Sequence, residues 1–270
     1  MGVLNVTPDS FSDGGRYLDA ERAVAHGLEM ARHGADVVDV GGESSRPGAE
    51  PVSEAEELAR VVPVIEALSP QVRVSVDTVK RAVAEAALGA GATLLNDISA
   101  SLWPVAAECG AGWVAMHMQG APRTMQDDPR YDDVVAEVHA FLRARAAAAL
   151  EGGVREVWVD PGIGFGKTAS HNLALLHHLP ELVVEGLPVL VGTSRKSFLG
   201  RLAAGPGAGP AGVPERLAGS IATATWAMLA GASMVRVHDV ASAVQAATLV
   251  GATRVAADGC GRAGTGEDYR

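Results

Sequence analysis

Cysteine is almost missing from this sequence. Only Cys109 and Cys260 occur in 270 residues, too few and too far apart for a disulfide framework or a zinc site, and the scarcity fits a reducing cytoplasm. Basic residues are also in deficit: 22 Lys and Arg against 32 Asp and Glu give a formal charge of −10. That balance excludes sequence-independent binding to nucleic acid or to an anionic membrane, though not a local basic pocket. The N-terminus meets Asp9 and Asp13 without a basic region, so no secretory signal is expected. The one long uncharged stretch, 217–235, is mostly Ala, Gly, Ser and Thr, and reads as a helix packed on a sheet instead of a membrane span.

What is abundant is punctuation. Thirty-two glycines separate short apolar runs from amphipathic segments, and the two alternate along the whole chain. Strands are expected at 2–6, 35–40, 72–76, 92–95, 112–116, 156–159, 188–192 and 233–237. Helices are expected at 19–33, 53–68, 79–88, near 104–109, and at 131–151, 172–184, 214–230 and 240–250. Ser53 and Glu56 have capping-box spacing. Eight such units predict a parallel sheet closed into a single-domain (β/α)₈ barrel over 1–257, with a polar tail at 258–270; a doubly wound open sheet is the alternative.

The stretch 157–167, Val-Trp-Val-Asp-Pro-Gly-Ile-Gly-Phe-Gly-Lys, shows how one unit works. Three β-favouring residues run into Asp160, and Pro161-Gly162 break the strand, leaving a carboxylate at its C-terminal end. Gly166-Lys167-Thr168 imitates the end of a nucleotide-phosphate loop. The glycine that such a loop needs five residues earlier is Pro161, which has no N–H to offer.

In a barrel of this kind the reactive groups gather where strands end. Here the ends carry Asn5, Asp39, Asp77, Asn96-Asp97, His117, Asp160, Arg195-Lys196, and Arg236 with His238. Any one of them could merely cap a turn. Together, acids and amides on one part of the rim and cations (Arg46, Arg195, Lys196, Arg236) on the rest suit a flat heterocycle with N–H edges joined to a phosphate or diphosphate. Asp39 and Asp77 could instead coordinate Mg²⁺.

The motifs at these ends are Asn-Val-Thr-Pro-Asp-Ser-Phe-Ser-Asp-Gly-Gly (5–15), Gly-Gly-Glu-Ser-Ser-Arg-Pro-Gly (41–48), Ser-Val-Asp-Thr (75–78), Asn-Asp-Ile-Ser (96–99), Met-His-Met-Gln-Gly (116–120), Asp-Pro-Gly-Ile-Gly-Phe-Gly-Lys (160–167), Ser-Arg-Lys-Ser (194–197) and Arg-Val-His-Asp (236–239). This set resembles the dihydropteroate synthase family, from residue 1 to about residue 250. The resemblance implies a barrel that condenses 6-hydroxymethyl-7,8-dihydropterin diphosphate with p-aminobenzoate. It assigns Asp77, Asn96, Asp160 and Lys196 to the pterin, and Asn5 to an accompanying Mg²⁺. Ser45, Arg236 and His238 go to the diphosphate, and Phe11, Arg46, Phe165 and Ser197 to the p-aminobenzoate side. Asp77, Lys196 and Arg46 are the residues expected to carry catalysis, and a homodimer is expected. Compared with the family, the chain begins directly at the first strand and has Ser45 where threonine is frequent. A pterin-binding barrel without synthase activity is the second reading; such relatives would be expected to lose the loop motifs and the Arg-Lys pair, which are present here.

Overall fold

The computed structural model describes residues 1–7, 16–44, 48–183, 186–204 and 209–260. The eight strands are β1 (Gly2–Asn5), β2 (Val37–Gly41), β3 (Arg73–Asp77), β4 (Leu94–Asp97), β5 (Gly112–Met116), β6 (Val157–Asp160), β7 (Leu190–Val191) and β8 (Met234–Val235). The first six pair in parallel in chain order, and β7 pairs with β8. Two further contacts close the ring. Val159 bridges to Val189, its N–H donating to the Pro188 carbonyl at 3.1 Å. Gly2 bridges to Val237, where Val3 N–H reaches the Val237 carbonyl and Val237 N–H the Met1 carbonyl, each at 2.9 Å. The result is the (β/α)₈ barrel that the alternation predicts.

The helices are α1 (Arg16–Arg32), α2 (Glu54–Leu68), α3 (Arg81–Gly89), α4 (Trp103–Cys109), α5 (Val134–Glu151), α6 (Ala169–His177), α7 (Leu179–Val183), α8 (Ser197–Ala203), α9 (Leu217–Leu229) and α10 (Val240–Cys260). Three differ from expectation. The single helix expected at 172–184 is two, α6 and α7, because Pro180 has no N–H to continue the α6 ladder and is tolerated only in the first turn of a new helix. Helix α8 was not anticipated. Helix α10 runs to Cys260, into the first residues of the expected tail, since its alanine-rich end meets no proline. Ser53 does cap α2, accepting the Glu56 N–H at 3.3 Å, but the Glu56 carboxylate turns to Arg60 instead of closing the box. No described helix is long and apolar enough to cross a membrane.

Strand alternation separates two cores. Outward residues such as Val38, Val40, Val74, Val76, Leu95 and Trp113 pack beneath the helices. Inward residues Met1, Val37, Leu94, Val114 and Leu190, joined by Trp158 and Met234, form an apolar plug inside the ring. Both faces are apolar, which is why the strands read as continuous hydrophobic runs. Full burial of each large side chain contributes about 1.5–3 kcal/mol.

Asp97 belongs to the frame. It ends β4 on the outward face, and its carboxylate accepts N–H bonds from Ser99 (2.9 Å), Ser101 and Leu102 (each 2.7 Å), and from the buried Trp113 indole (3.2 Å). Asp97→Ala should therefore destabilise the fold by about 3 kcal/mol, since the buried Trp113 indole and three partly buried N–H groups lose their acceptor together. Urea unfolding that shows a loss below about 1 kcal/mol would contradict this.

Candidate active site at the barrel mouth

Above the plug the inward face becomes charged. Two residues on from Val37, Leu94, Trp158 and Met234 along their strands stand Asp39, Asn96, Asp160 and Arg236, one from each even strand. The period of two along a strand puts each on the same inner face as its plug residue. Barrels of this class fill their interior in layers of four from alternate strands, and here one whole layer is polar.

Arg236 binds the layer together. Its Nε donates to Asp39 Oδ2 at 2.6 Å and its Nη2 to Asp77 Oδ2 at 2.8 Å, while Asn96 Nδ2 donates to the same Asp39 oxygen at 3.0 Å. Asp39 is fully buried, and its Oδ1 and the Ser75 hydroxyl on the next strand have no partner among the described residues. Burial pushes the Asp77 carboxyl up to about 7; Arg236 opposes that rise and Asp39 adds to it. Asn5, ending β1, lies beside Asp77 across Gly41: a methyl built on Gly41 would be 3.8 Å from Asn5 Oδ1 and 3.5 Å from Asp77 Cβ.

On the opposite side stand Asp160 and Lys196. Burial raises the Asp160 pKa against the pull of Lys196 and of the Gly162 N–H, which donates to Asp160 Oδ1 at 2.7 Å. Burial lowers the Lys196 pKa to about 8, against Asp160. The Lys196 ammonium donates to the Ile163 carbonyl and sits 4.4 Å from the centre of the Phe165 ring, a cation–π contact. Ser197 is exposed at the start of α8, next in sequence. His238 is tied to Ser194, whose hydroxyl accepts its backbone N–H at 3.1 Å and lies 3.0 Å from its Nδ1.

The loop carrying Ile163 and Phe165 is built around Lys167, which is wholly buried. Its ammonium lies 3.0 Å from the Gly162 and Phe165 carbonyls, 3.3 Å from the His117 carbonyl and 2.9 Å from His117 Nδ1. Burial lowers the Lys167 pKa to about 7, yet four acceptors and no donor face the nitrogen, which favours the ammonium form. Burial, helped by Lys167, lowers the His117 pKa to about 3, so the ring is neutral. Gly162 and Gly166 have φ of +65° and +60°, and a methyl there would fall 1.8 Å and 2.3 Å from the His117 and Gln119 carbonyls. Only glycine lets the loop lie this close to the strand-five turn.

Asp77, Asn96, Asp160, Lys196, Phe165 and Arg236 thus share one mouth, with Asn5, Ser197 and His238 on its edge. Phe11, Ser45 and Arg46 lie outside the described residues. Arg236, expected on a diphosphate, here spans two carboxylates. Asp39, expected only as an alternative Mg²⁺ ligand, holds the layer together; its inward parity with Val37 is the signal. Lys167 had no signal beyond the false phosphate-loop match. No group of three or more His, Cys, Asp or Glu among the described residues could hold a metal by itself. The arrangement offers acceptors for a donor-rich ring and ammonium, amide and imidazole groups for anions.

Comparison with known proteins follows the same geometry. A family model described as "Pterin binding enzyme" matches residues 1–238. Dihydropteroate synthase of Mycobacterium leprae is 49% identical over 262 residues, 93% of this chain and 92% of that protein. The enzyme of Escherichia coli is 48% identical, with 94% and 90% covered. Among solved structures, Xanthomonas albilineans dihydropteroate synthase with 4-aminobenzoic acid superposes with a TM-score of 0.86 at 48% identity, covering 94% of this chain and 92% of that one. The same organism's enzyme in complex with 7,8-dihydropteroate gives 0.82 at 45% identity, with 94% and 92% covered.

Two outcomes test the electrostatics. The folded pKa of Asp77, about 7, lies above the roughly 3.9 of an unfolded aspartate, so its stabilising contribution is complete below about pH 4 and lost as pH rises through about 7. The stability difference between wild type and Asp77→Asn should therefore shrink over that window in urea titrations; a constant difference would contradict the assignment. Lys167→Met strands four acceptors and should cost about 3 kcal/mol in thermal unfolding, whereas a near-neutral effect would mean the ammonium is not what holds the loop.

Proposed function

The chain belongs to the dihydropteroate synthase family of pterin-binding enzymes, and on that premise we propose how its own residues divide the work. The reaction joins 6-hydroxymethyl-7,8-dihydropterin diphosphate to p-aminobenzoate, giving 7,8-dihydropteroate and pyrophosphate. The bond from the pterin methylene carbon to oxygen breaks, the diphosphate leaves with the electron pair, the aromatic amine forms a carbon–nitrogen bond, and its proton is released.

Asp77, Asn96 and Asp160 receive the amino and ring N–H edge of the pterin, and Lys196 donates to the ring's acceptors. Beneath them the Asp39 Oδ1 and the Ser75 hydroxyl are buried with no partner among the described residues. An ionised Asp77 facing the methylene also stabilises the positive charge that develops there. Arg236, His238 and Ser45 take the diphosphate, with Arg236 exchanging part of its hold on the acids for phosphate oxygens. Phe165, Phe11, Arg46 and Ser197 line the p-aminobenzoate side.

The donor set also suits Mg²⁺. This ion keeps most of its waters and takes only one or two protein oxygens beside substrate phosphates, and Asn5 supplies one such oxygen next to the charged layer without a cluster of acids. When bound, the metal neutralises charge on the leaving group. We further propose one barrel domain to residue 257 with 258–270 peripheral to it, a cytoplasmic location, and a homodimer. The exposed Trp226, Leu229 and Leu249 of α9 and α10 (54%, 55% and 68% exposed) supply its apolar face.

The observation that carries this reading is the joining of pterin-type acceptors and Lys196 at one mouth. Pyrophosphate release by the purified chain, with Mg²⁺ and both substrates, tests it; release no faster than the blank would end it. Asp160→Asn should weaken pterin binding by about 10-fold or more, because a charge-assisted acceptor becomes a mixed donor and acceptor. Calorimetry showing unchanged affinity would remove Asp160 from the site. Arg46→Ala should lower turnover more than pterin affinity, checked by the same two measurements.

A further inference from the structure

We propose that Arg195 is a positioning residue for the synthase reaction: a locked left-handed turn that sends Ser194 and Lys196 to opposite sides of the mouth. It deepens the functional reading above and rests on it. Its backbone φ is +59°, and Arg195 and Ala100 are the only described residues other than glycine with positive φ. A side-chain-bearing residue adopts that conformation only where its surroundings impose it.

The surroundings here grip every part of it. The Arg195 N–H donates to the Ser220 hydroxyl at 2.8 Å, and its carbonyl accepts from Arg216 Nη1 at 3.0 Å. Its guanidinium makes a two-pronged pair with Asp239, Nε to Oδ2 at 3.0 Å and Nη2 to Oδ1 at 2.6 Å. Arg216 and Ser220 are one helical turn apart at the start of α9, and the Ser220 hydroxyl donates back to the Arg216 carbonyl at 2.7 Å. Helix α9 therefore fixes the backbone of residue 195, and Asp239, which follows His238, fixes its side chain.

The neighbours explain the purpose. Ser194, one residue before the turn, engages His238 on the side assigned to the diphosphate. Lys196, one residue after, engages Ile163 and Phe165 on the side assigned to the pterin and p-aminobenzoate. The pair with Asp239 joins the β7 and β8 loops. Arg195 spends its charge on Asp239 and is not itself a substrate cation. A lysine could not reproduce the two-pronged contact.

The experiment is steady-state pyrophosphate release by the full chain, varying each substrate, alongside thermal midpoints. Arg195→Ala and Asp239→Ala should each lower kcat by about 10- to 100-fold, as small misplacements of reacting groups do, with smaller changes in KM. The double variant should be no worse than either single, because both remove one contact. Exchanging the charges, Arg195→Asp with Asp239→Arg, should recover part of the loss. If an alanine variant does not fold, Asp239→Asn keeps the shape and should show a smaller loss of the same kind. A loss in Arg195→Ala with wild-type kcat in Asp239→Ala would overturn the proposal, since the guanidinium would then serve substrate directly. So would lowered thermal midpoints with unchanged kcat, or losses that multiply in the double variant. Wild-type chain that releases no pyrophosphate would instead sink the synthase reading beneath it, and this inference with it.

Discussion

One guanidinium shared by two carboxylates governs this structure. Arg236 reaches Asp39 and Asp77 from the far end of the chain, across the seam where β8 meets β1. Burying Asp39 and most of Asp77 above an apolar plug is unfavourable unless a cation and hydrogen-bond donors compensate. Arg236 and Asn96 provide that compensation, and so the layer can hold carboxylates where a barrel would ordinarily hold valine or leucine. The same compensation is incomplete: Asp77 remains pushed up to about 7, and one Asp39 oxygen has no partner among the described residues.

Around that layer the chain builds supports that never need to touch substrate. Lys167 gathers carbonyls beneath the loop that bears Phe165 and Ile163, and that loop in turn meets Lys196. Arg195, held by Asp239, Arg216 and Ser220, sets the turn from which Lys196 emerges. Lys80, pairing with Glu43 and the buried Glu57, ties the β2 loop to the β3 loop, while Glu43 also accepts the Val52 N–H at 3.3 Å. In each case a cation is held by internal partners, backbone carbonyls for Lys167 and carboxylates for Arg195 and Lys80.

Much of this was legible in the residues. Every strand fell where an apolar run met glycine or a polar residue, because both faces of these strands are buried and the runs are unbroken. Asp77, Asn96 and Asp160 were legible because each ends a strand, where barrel chemistry gathers. Helix α8 was not, since its seven residues open on Lys196, with neither the capping side chain nor the first-turn proline that marks a helix start; α4, equally short, has Pro104. Asp97 resembled its neighbour Asn96, yet one step along a strand reverses the face, and it serves α4 and Trp113 instead.

The sequence by itself determined the order of strands and helices and the set of polar residues delivered to the strand ends. These follow from local properties: side-chain periodicity, the missing proline N–H, the missing glycine Cβ. Tertiary structure alone decided which charges neutralise one another. Arg236 with Asp39 and Asp77, Arg195 with Asp239, and Lys167 with the His117 turn lie far apart along the chain and meet only when the ring closes. Electrostatic pairing depends on distance and burial in three dimensions, and neither is written in the order of residues.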